Sequence, residues 1–190
     1  MKKRIGLTLL LLLTLGLGAQ LALSEDDHED GEHHGWRDAF KPTAGVAAVR
    51  NPAYRAECGS CHMAYPPGLL PARSWQGIMH GLSDHFGDNA ELDPQTLATL
   101  TQYLLDNSAD QSDYRRSRKI MRSLEQGAAP LRISEVPYIR YKHHELPQAI
   151  ITANPKVGSL SNCNACHQQA EQGSFRENDI LIPGHGRWDD

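Results

Sequence analysis

After an almost unbroken apolar run that ends at Leu23, hydrophobic residues recur only in short groups spaced like helix faces. Pro71 to Phe86 opens on proline, is closed by Gly87, and sets Trp75, Ile78, Met79, Leu82 and Phe86 in one stripe. That spacing predicts an amphipathic helix. Leu92 to Asp106 carries Asp93 as cap, Pro94 in the first turn and Leu97, Leu100 and Leu104 on one face, predicting another. Ser134 is expected to cap a third helix that runs through Tyr138 to Glu145 and stops before Pro147. A fourth is predicted over Ser161 to Glu171, closed by Gly173. The expected fold class is mainly α.

The N-terminal run changes the compartment. Lys2, Lys3 and Arg4 precede an apolar stretch from Ile5 to Leu23, and Ala22 and Ser24 flank Leu23 as small residues do at a cleavage site. Residues 1–24 therefore read as a secretory signal peptide cut after Ser24, with Ala19 and Ala22 as alternative sites and an uncleaved anchor as the competing reading. No later stretch approaches a spanning length, so no stable membrane insertion is expected after cleavage. Residues 25–45 read as a flexible acidic leader, because Glu25 to His34 holds six acids and no Lys or Arg. His28, His33 and His34 are metal-binding types, but solvation of an acidic tail is their simpler use. Residues 46–190 are the expected folded domain.

Composition then exposes a shortage. The chain is 39% hydrophobic, and without the signal the fraction falls to about 36%, below the globular norm of about 45 to 50%. Four cysteines are few for a disulfide-held scaffold. Something other than polypeptide is expected to fill the interior. The net charge of −4 resides mostly in the leader, and a nearly neutral remainder excludes a nucleic-acid surface.

All four cysteines fall in one repeated motif: Cys58, Cys61 and His62 in CGSCH, and Cys163, Cys166 and His167 in CNACH. C-x-x-C-H is the attachment signature of c-type haem. Two thiols three residues apart lie on one side of a helical turn, where they can add to the two vinyl groups on one porphyrin edge. The next residue then turns its imidazole to iron. A redox dithiol would want an alternating strand and helix frame, which neither pair has. Structural zinc is disfavoured by the trailing histidines, the oxidising compartment and the distance of about a hundred residues between the pairs. Two covalently attached haem c groups, each carrying iron, would supply the missing core.

The second axial position decides what such an iron can do: a strong ligand makes an electron carrier, and an open position invites chemistry. At about 100° per residue, His85 falls on the margin of the Pro71–Phe86 stripe, while His80 points to the polar side. His143 shares the face of Val136 and Ile139, and His144 is rotated away from it. His85 and His143 are therefore the expected distal ligands, with His185 in reserve for the second haem. Met63 directly follows His62 and cannot readily reach the far face of the same ring, while Met79 and Met121 occupy positions where core packing is the commoner use. Arg115, Arg116, Arg118, Lys119 and Arg122 read as a solvated helix face, with haem propionates or an acidic partner as their other use.

The segments YRAECGSCHMAYPPGLLPARSW, HFGDNAELD, RISEVPYIRYKHHELP and NCNACH resemble the bacterial dihaem cytochrome c proteins called DHC, over about Asn51 to Pro183. The resemblance implies helices and long loops wrapped around two covalent haems, little or no sheet, and two bis-histidine low-spin irons. It places iron ligands at His85 and His143, in agreement with the helix-face reading. It also implies periplasmic electron transfer, with redox partner proteins such as a membrane b-type cytochrome or a small haem protein. The sequence departs from the family in carrying His144 where relatives more often have Arg, in having His80 nearby, and in ending on PGHGRWDD. Proximity pairs His85 with His62 and His143 with His167, a crossed arrangement being the alternative. The expected function is an electron carrier, not an enzyme. The rival reading is a dihaem reductase or peroxidase in which one haem keeps an open or displaceable distal site.

Overall fold

The computed structural model describes residues 45–188; the expected signal peptide and, except for Gly45, the expected leader lie outside them. Six helices follow in order: α1 (Pro52–Cys58), α2 (Ala72–His80), α3 (Pro94–Asp106), α4 (Arg115–Ser123), α5 (Pro137–Lys142) and α6 (Cys163–Cys166). A hairpin of two-residue strands, β1 (Leu181–Ile182) and β2 (Gly186–Arg187), is the one sheet among the described residues. The mainly helical fold class is as read from the sequence. Among the described residues, no helix is long and apolar enough to cross a membrane.

Local chemistry sets the helix ends. Asp93 accepts from the backbone N–H groups of Gln95 and Thr96, each at 3.0 Å, and Pro94 supplies the first turn of α3. A hydrogen bond from the Thr96 side chain, helped by these backbone bonds, holds the Asp93 carboxyl below its usual range. Asn51 caps α1 in the same way, accepting from Tyr54 N–H at 3.0 Å.

Three predicted helices are shorter than their patterns suggested. α2 ends at His80, not Phe86, because Gly81 opens a single 3-10 turn over Leu82–Asp84 and Asp84 Oδ1 then accepts from Gly87 N–H at 3.0 Å. That side-chain turn competes with continuation of the helix, and it leaves Phe86 at φ +59°. Ser134 does not cap α5. Pro137 holds the preceding Val136 in extended backbone, so the helix starts only at the proline. The helix expected over Ser161–Glu171 is reduced to the four residues of α6, because His167 pairs its backbone with Ile180 instead. A separate 3-10 turn, Ala170–Gln172, is closed by Gly173 as anticipated.

The core is one-sided in sequence. Val46, Tyr54, Leu69, Leu70, Trp75, Leu100, Leu104, Ile120 and Val136 form a single buried cluster confined to residues 46–136. α3 packs on α2, and α4 packs on α5. Trp75 Nε1 donates to the Pro67 carbonyl at 2.8 Å, satisfying the one polar atom of that ring. Ile150, Ile151, Val157 and Ile182 are also buried, but outside this cluster.

Gly173 joins the two regions. Its carbonyl accepts from Val46 N–H at 3.1 Å, its φ is +81°, and a Cβ there would stand 2.2 Å from the Val46 carbonyl oxygen. Gly173→Ala is therefore expected to cost about 1 to 3 kcal/mol through left-handed strain and backbone collision. Thermal unfolding of the holoprotein checks this; an unchanged midpoint would contradict the close approach.

Candidate haem sites

The first motif straddles the end of α1. Cys58 is the last helical residue, and Gly59 caps it by donating to the Arg55 carbonyl at 3.0 Å. Cys61 and His62 follow in the turn. His62 Nδ1 donates to the Met63 carbonyl at 2.8 Å, which leaves Nε2 with its lone pair free. Tyr65 stacks on the His62 ring at 4.8 Å. His85 lies 6.2 Å from His62, centroid to centroid, with the rings 27° apart. His85 arrives there from the turn after α2, not from a helix face. Its own burial lowers its proton affinity, and the neighbouring His62 adds to this.

The second motif forms α6. His167 follows it, 6.1 Å from His143 with the rings at 78°. His143 is the C-cap of α5, and its Nδ1 donates to the Ile139 carbonyl at 2.7 Å. Burial lowers the proton affinity of His143 and pushes His167 down to about 4, so both rings are neutral at pH 7, the form that binds metal. The two histidines, Cys163 and Cys166 share a cavity of about 300 Å³ with Ile139, Ile150 and Ile151.

The two places adjoin. Tyr65, stacked on His62, donates through its hydroxyl to the Ser161 carbonyl at 2.6 Å, just ahead of the second motif. Asn164, inside the second motif, lines a cavity that also holds Cys61 and His62.

The residues present fit two haems. An imidazole nitrogen about 2.0 to 2.1 Å from a metal on each side puts the ring centroids about 6 Å apart, the spacing both pairs show. The cavity at Cys163 is largely apolar, as a macrocycle requires. The competing uses fare worse. Burial holds the Cys58 and Cys163 thiols up at about 11, whereas redox dithiols need a depressed value. Among the described residues no three His, Cys, Asp or Glu side chains converge on a metal position, as zinc would demand.

Of the other described histidines, only His144 reaches the rim of that cavity. His80 and His185 are exposed, the latter at the tip of the β1–β2 hairpin. His144 is exposed, stacks on Tyr141 at 5.4 Å and lies 3.6 Å from Glu145. Met79 is part of the protein core and Met121 packs against it. Arg116 departs from the preferred reading of its basic group. It reads as part of a solvated basic face, yet it turns inward to line the His143–His167 cavity. Its one available signal is its position four residues before Ile120, which is fully buried.

Residues 54–175 match the family model described as dihaem cytochrome c. No curated protein matches the chain. Among solved structures, a dihaem cytochrome c from Shewanella baltica is 45% identical, with a TM-score of 0.62 over 73% of this chain and 98% of that one. A dihaem cytochrome c from Rhodobacter sphaeroides is 44% identical, with a TM-score of 0.61 over 68% of this chain and 100% of its own. A crystal structure of DHC purified from the same organism is 40% identical, with a TM-score of 0.52 over 67% and 99%. This match takes in both attachment motifs and everything between them, and the chain accordingly belongs to the dihaem cytochrome c family, whose two covalently bound haem c irons serve electron transfer.

Proposed function

We propose that the protein is a periplasmic electron carrier whose two haems are both held by histidine pairs. Cys58 and Cys61 anchor the first haem and Cys163 and Cys166 the second. His62 and His167 are the proximal ligands, and His85 and His143 the distal ones. The observation that carries this reading is the ring spacing of 6.2 Å and 6.1 Å in two separate pairs. When bound, the iron supplies a one-electron change between ferric and ferrous states. The chain's part is to hold both axial positions, so that little moves on reduction, and to exclude water from the second site. Two imidazoles give a lower potential than a histidine and methionine pair, because thioether ligation raises it.

Contact between the sites through Tyr65, Ser161 and Asn164 favours passage of electrons from one haem to the other. The apolar, basic-flanked run at the N-terminus supports the periplasm, reached by secretion. Redox partner proteins follow from the carrier role, and the family resemblance favours a membrane b-type cytochrome or a small haem protein.

Low-temperature EPR of the ferric holoprotein, quantified against total haem, tests the reading. Two low-spin signals of equal weight are expected, indifferent to cyanide and nitric oxide. They should differ in shape: near-perpendicular imidazoles at 78° give a highly anisotropic signal, and rings at 27° a conventional rhombic one. One substantial high-spin signal would overturn the bis-histidine reading and favour a dihaem reductase or peroxidase.

A further inference from the structure

α4 exposes Arg115, Arg118 and Arg122, but it turns Arg116 inward, one helical turn before the fully buried Ile120. Arg116 Nη1 donates to the Tyr138 hydroxyl at 3.2 Å, and Nη2 donates to the Phe175 carbonyl at 3.0 Å. The guanidinium carbon lies 5.8 Å from the Tyr138 ring centroid and 5.6 Å from that of Phe175, within cation–π range of both. Phe175 in turn meets the His167 ring edge-on at 5.3 Å. Arg116 Nε is buried with no hydrogen-bond partner, and among the described residues no carboxylate pairs with this side chain. A guanidinium keeps its charge at every accessible pH, so a fixed positive charge lines the cavity of His143 and His167.

The cations at the first site are more exposed: Arg55 lines the cavity of Cys61 and His62 but is itself open to solvent. Arg132 stands 3.9 Å from the Phe86 ring centroid, beside His85. Its side chain is 46% exposed, however, and Glu135 lies 3.9 Å away. Solvent and a countercharge screen it, whereas Arg116 is half-buried with its Nε shut off from solvent, and the two carboxylates that line its cavity, Glu145 and Glu177, lie against His144 and Lys142. Iron gives up one positive charge on reduction, so a nearby fixed cation favours the ferrous state.

We infer that Arg116 is a positioning residue for electrons, the half-buried charge that holds the second haem at a higher reduction potential than the first. An electron entering at the Cys58/Cys61 haem then settles at the Cys163/Cys166 haem. The inference rests on the His143–His167 ligand pair proposed above.

An EPR-monitored redox titration of the holoprotein at low and high salt tests it. The second haem's signal is identified as the one that His143→Ala converts to high spin. It should be reduced first, and the gap between the two midpoints should persist at high salt. In Arg116→Gln the second midpoint should fall toward the first, the first should stay in place, and both signals should remain low-spin. Arg116→Lys, which keeps the charge, should restore most of the gap. An unmoved second midpoint in Arg116→Gln, or reduction of the second haem last in the intact protein, would overturn the role of Arg116. If Arg116→Gln does not fold, the order of reduction and the Arg116→Lys midpoint still decide. A second haem that is high-spin in the intact protein would instead overturn the ligand assignment on which the inference stands.

Discussion

Replacing His143 with alanine is expected to convert one of the two haems from low spin to high spin and to open it to cyanide and nitric oxide. Replacing its neighbour His144 is expected to leave both haems low-spin and closed. The two residues differ by one position and about 100° of helix. His143 ends α5 with its ring 6.1 Å from His167 and its Nδ1 bonded to the Ile139 carbonyl, inside the cavity shared with Cys163 and Cys166. His144 is exposed, its ring stacked on Tyr141 and its Nδ1 bonded to the Tyr141 carbonyl at 2.6 Å. His144 reaches the rim of the same cavity, but to replace the missing ligand it would have to give up both of those contacts with Tyr141. The effect of His143→Ala is therefore all-or-none at one iron. Visible and EPR spectra, with a cyanide titration, read it directly. A low-spin His143→Ala protein alongside a high-spin His144→Ala protein would reverse the assignment. At the first site the same contrast is expected between His85 and the exposed His80, with His85→Ala alone opening the iron.

What the sequence made legible follows from which forces act locally. α3 was readable end to end because its cap, its first-turn proline and the burial of Leu100 and Leu104 all belong to one short segment. The attachment motifs were readable because the porphyrin edge fixes the spacing of two thiols and an imidazole. His85 is instructive in another way. The periodicity placed it at the margin of a helix, but it sits beside His62 by way of Gly81, a 3-10 turn and the Asp84 side-chain bond to Gly87. Those features answer to backbone competition, which a helical wheel does not contain. Arg116 was obscured by its neighbours: five basic residues within Arg115–Arg122 read as a wet face, although burial of Ile120 four residues on pulls one of them inward. Beyond α5 the hydrophobic pattern loses its period. Ile150, Ile151, Val157 and Ile182 are buried, yet they are not spaced to meet another helix or sheet. A segment that packs against a flat macrocycle has no reason to repeat every 3.6 or 2 residues.

That loss of period sets the second large effect: Cys163→Ala with Cys166→Ala should unfold residues 143–188 while residues 46–136 keep their structure. The buried cluster belongs wholly to the N-terminal part, where α1 to α4 and the segments that join and flank them supply its side chains. The C-terminal part has α6, four residues long, and a hairpin of two-residue strands. Neither is stable by itself in water. Its apolar residues face a cavity of about 300 Å³ instead of one another. Without the haem that volume fills with water, and the burial that its apolar lining gains from the macrocycle is lost. Hydrogen bonds from the Tyr65 hydroxyl to Ser161, from Val46 to the Gly173 carbonyl and from Arg116 to the Phe175 carbonyl help to hold the halves together. At about 1 kcal/mol each such bonds cannot offset the loss. Hydrogen exchange on the double variant, with haem staining to verify one remaining haem, should show protection lost across 143–188 and kept across α1 to α4. Unchanged protection over 143–188 would mean that the polypeptide orders this region without the haem. Cys166→Ala alone retains one thioether anchor and both histidines, and its protection should stay near that of the intact protein, since it is the filled cavity that keeps the region folded.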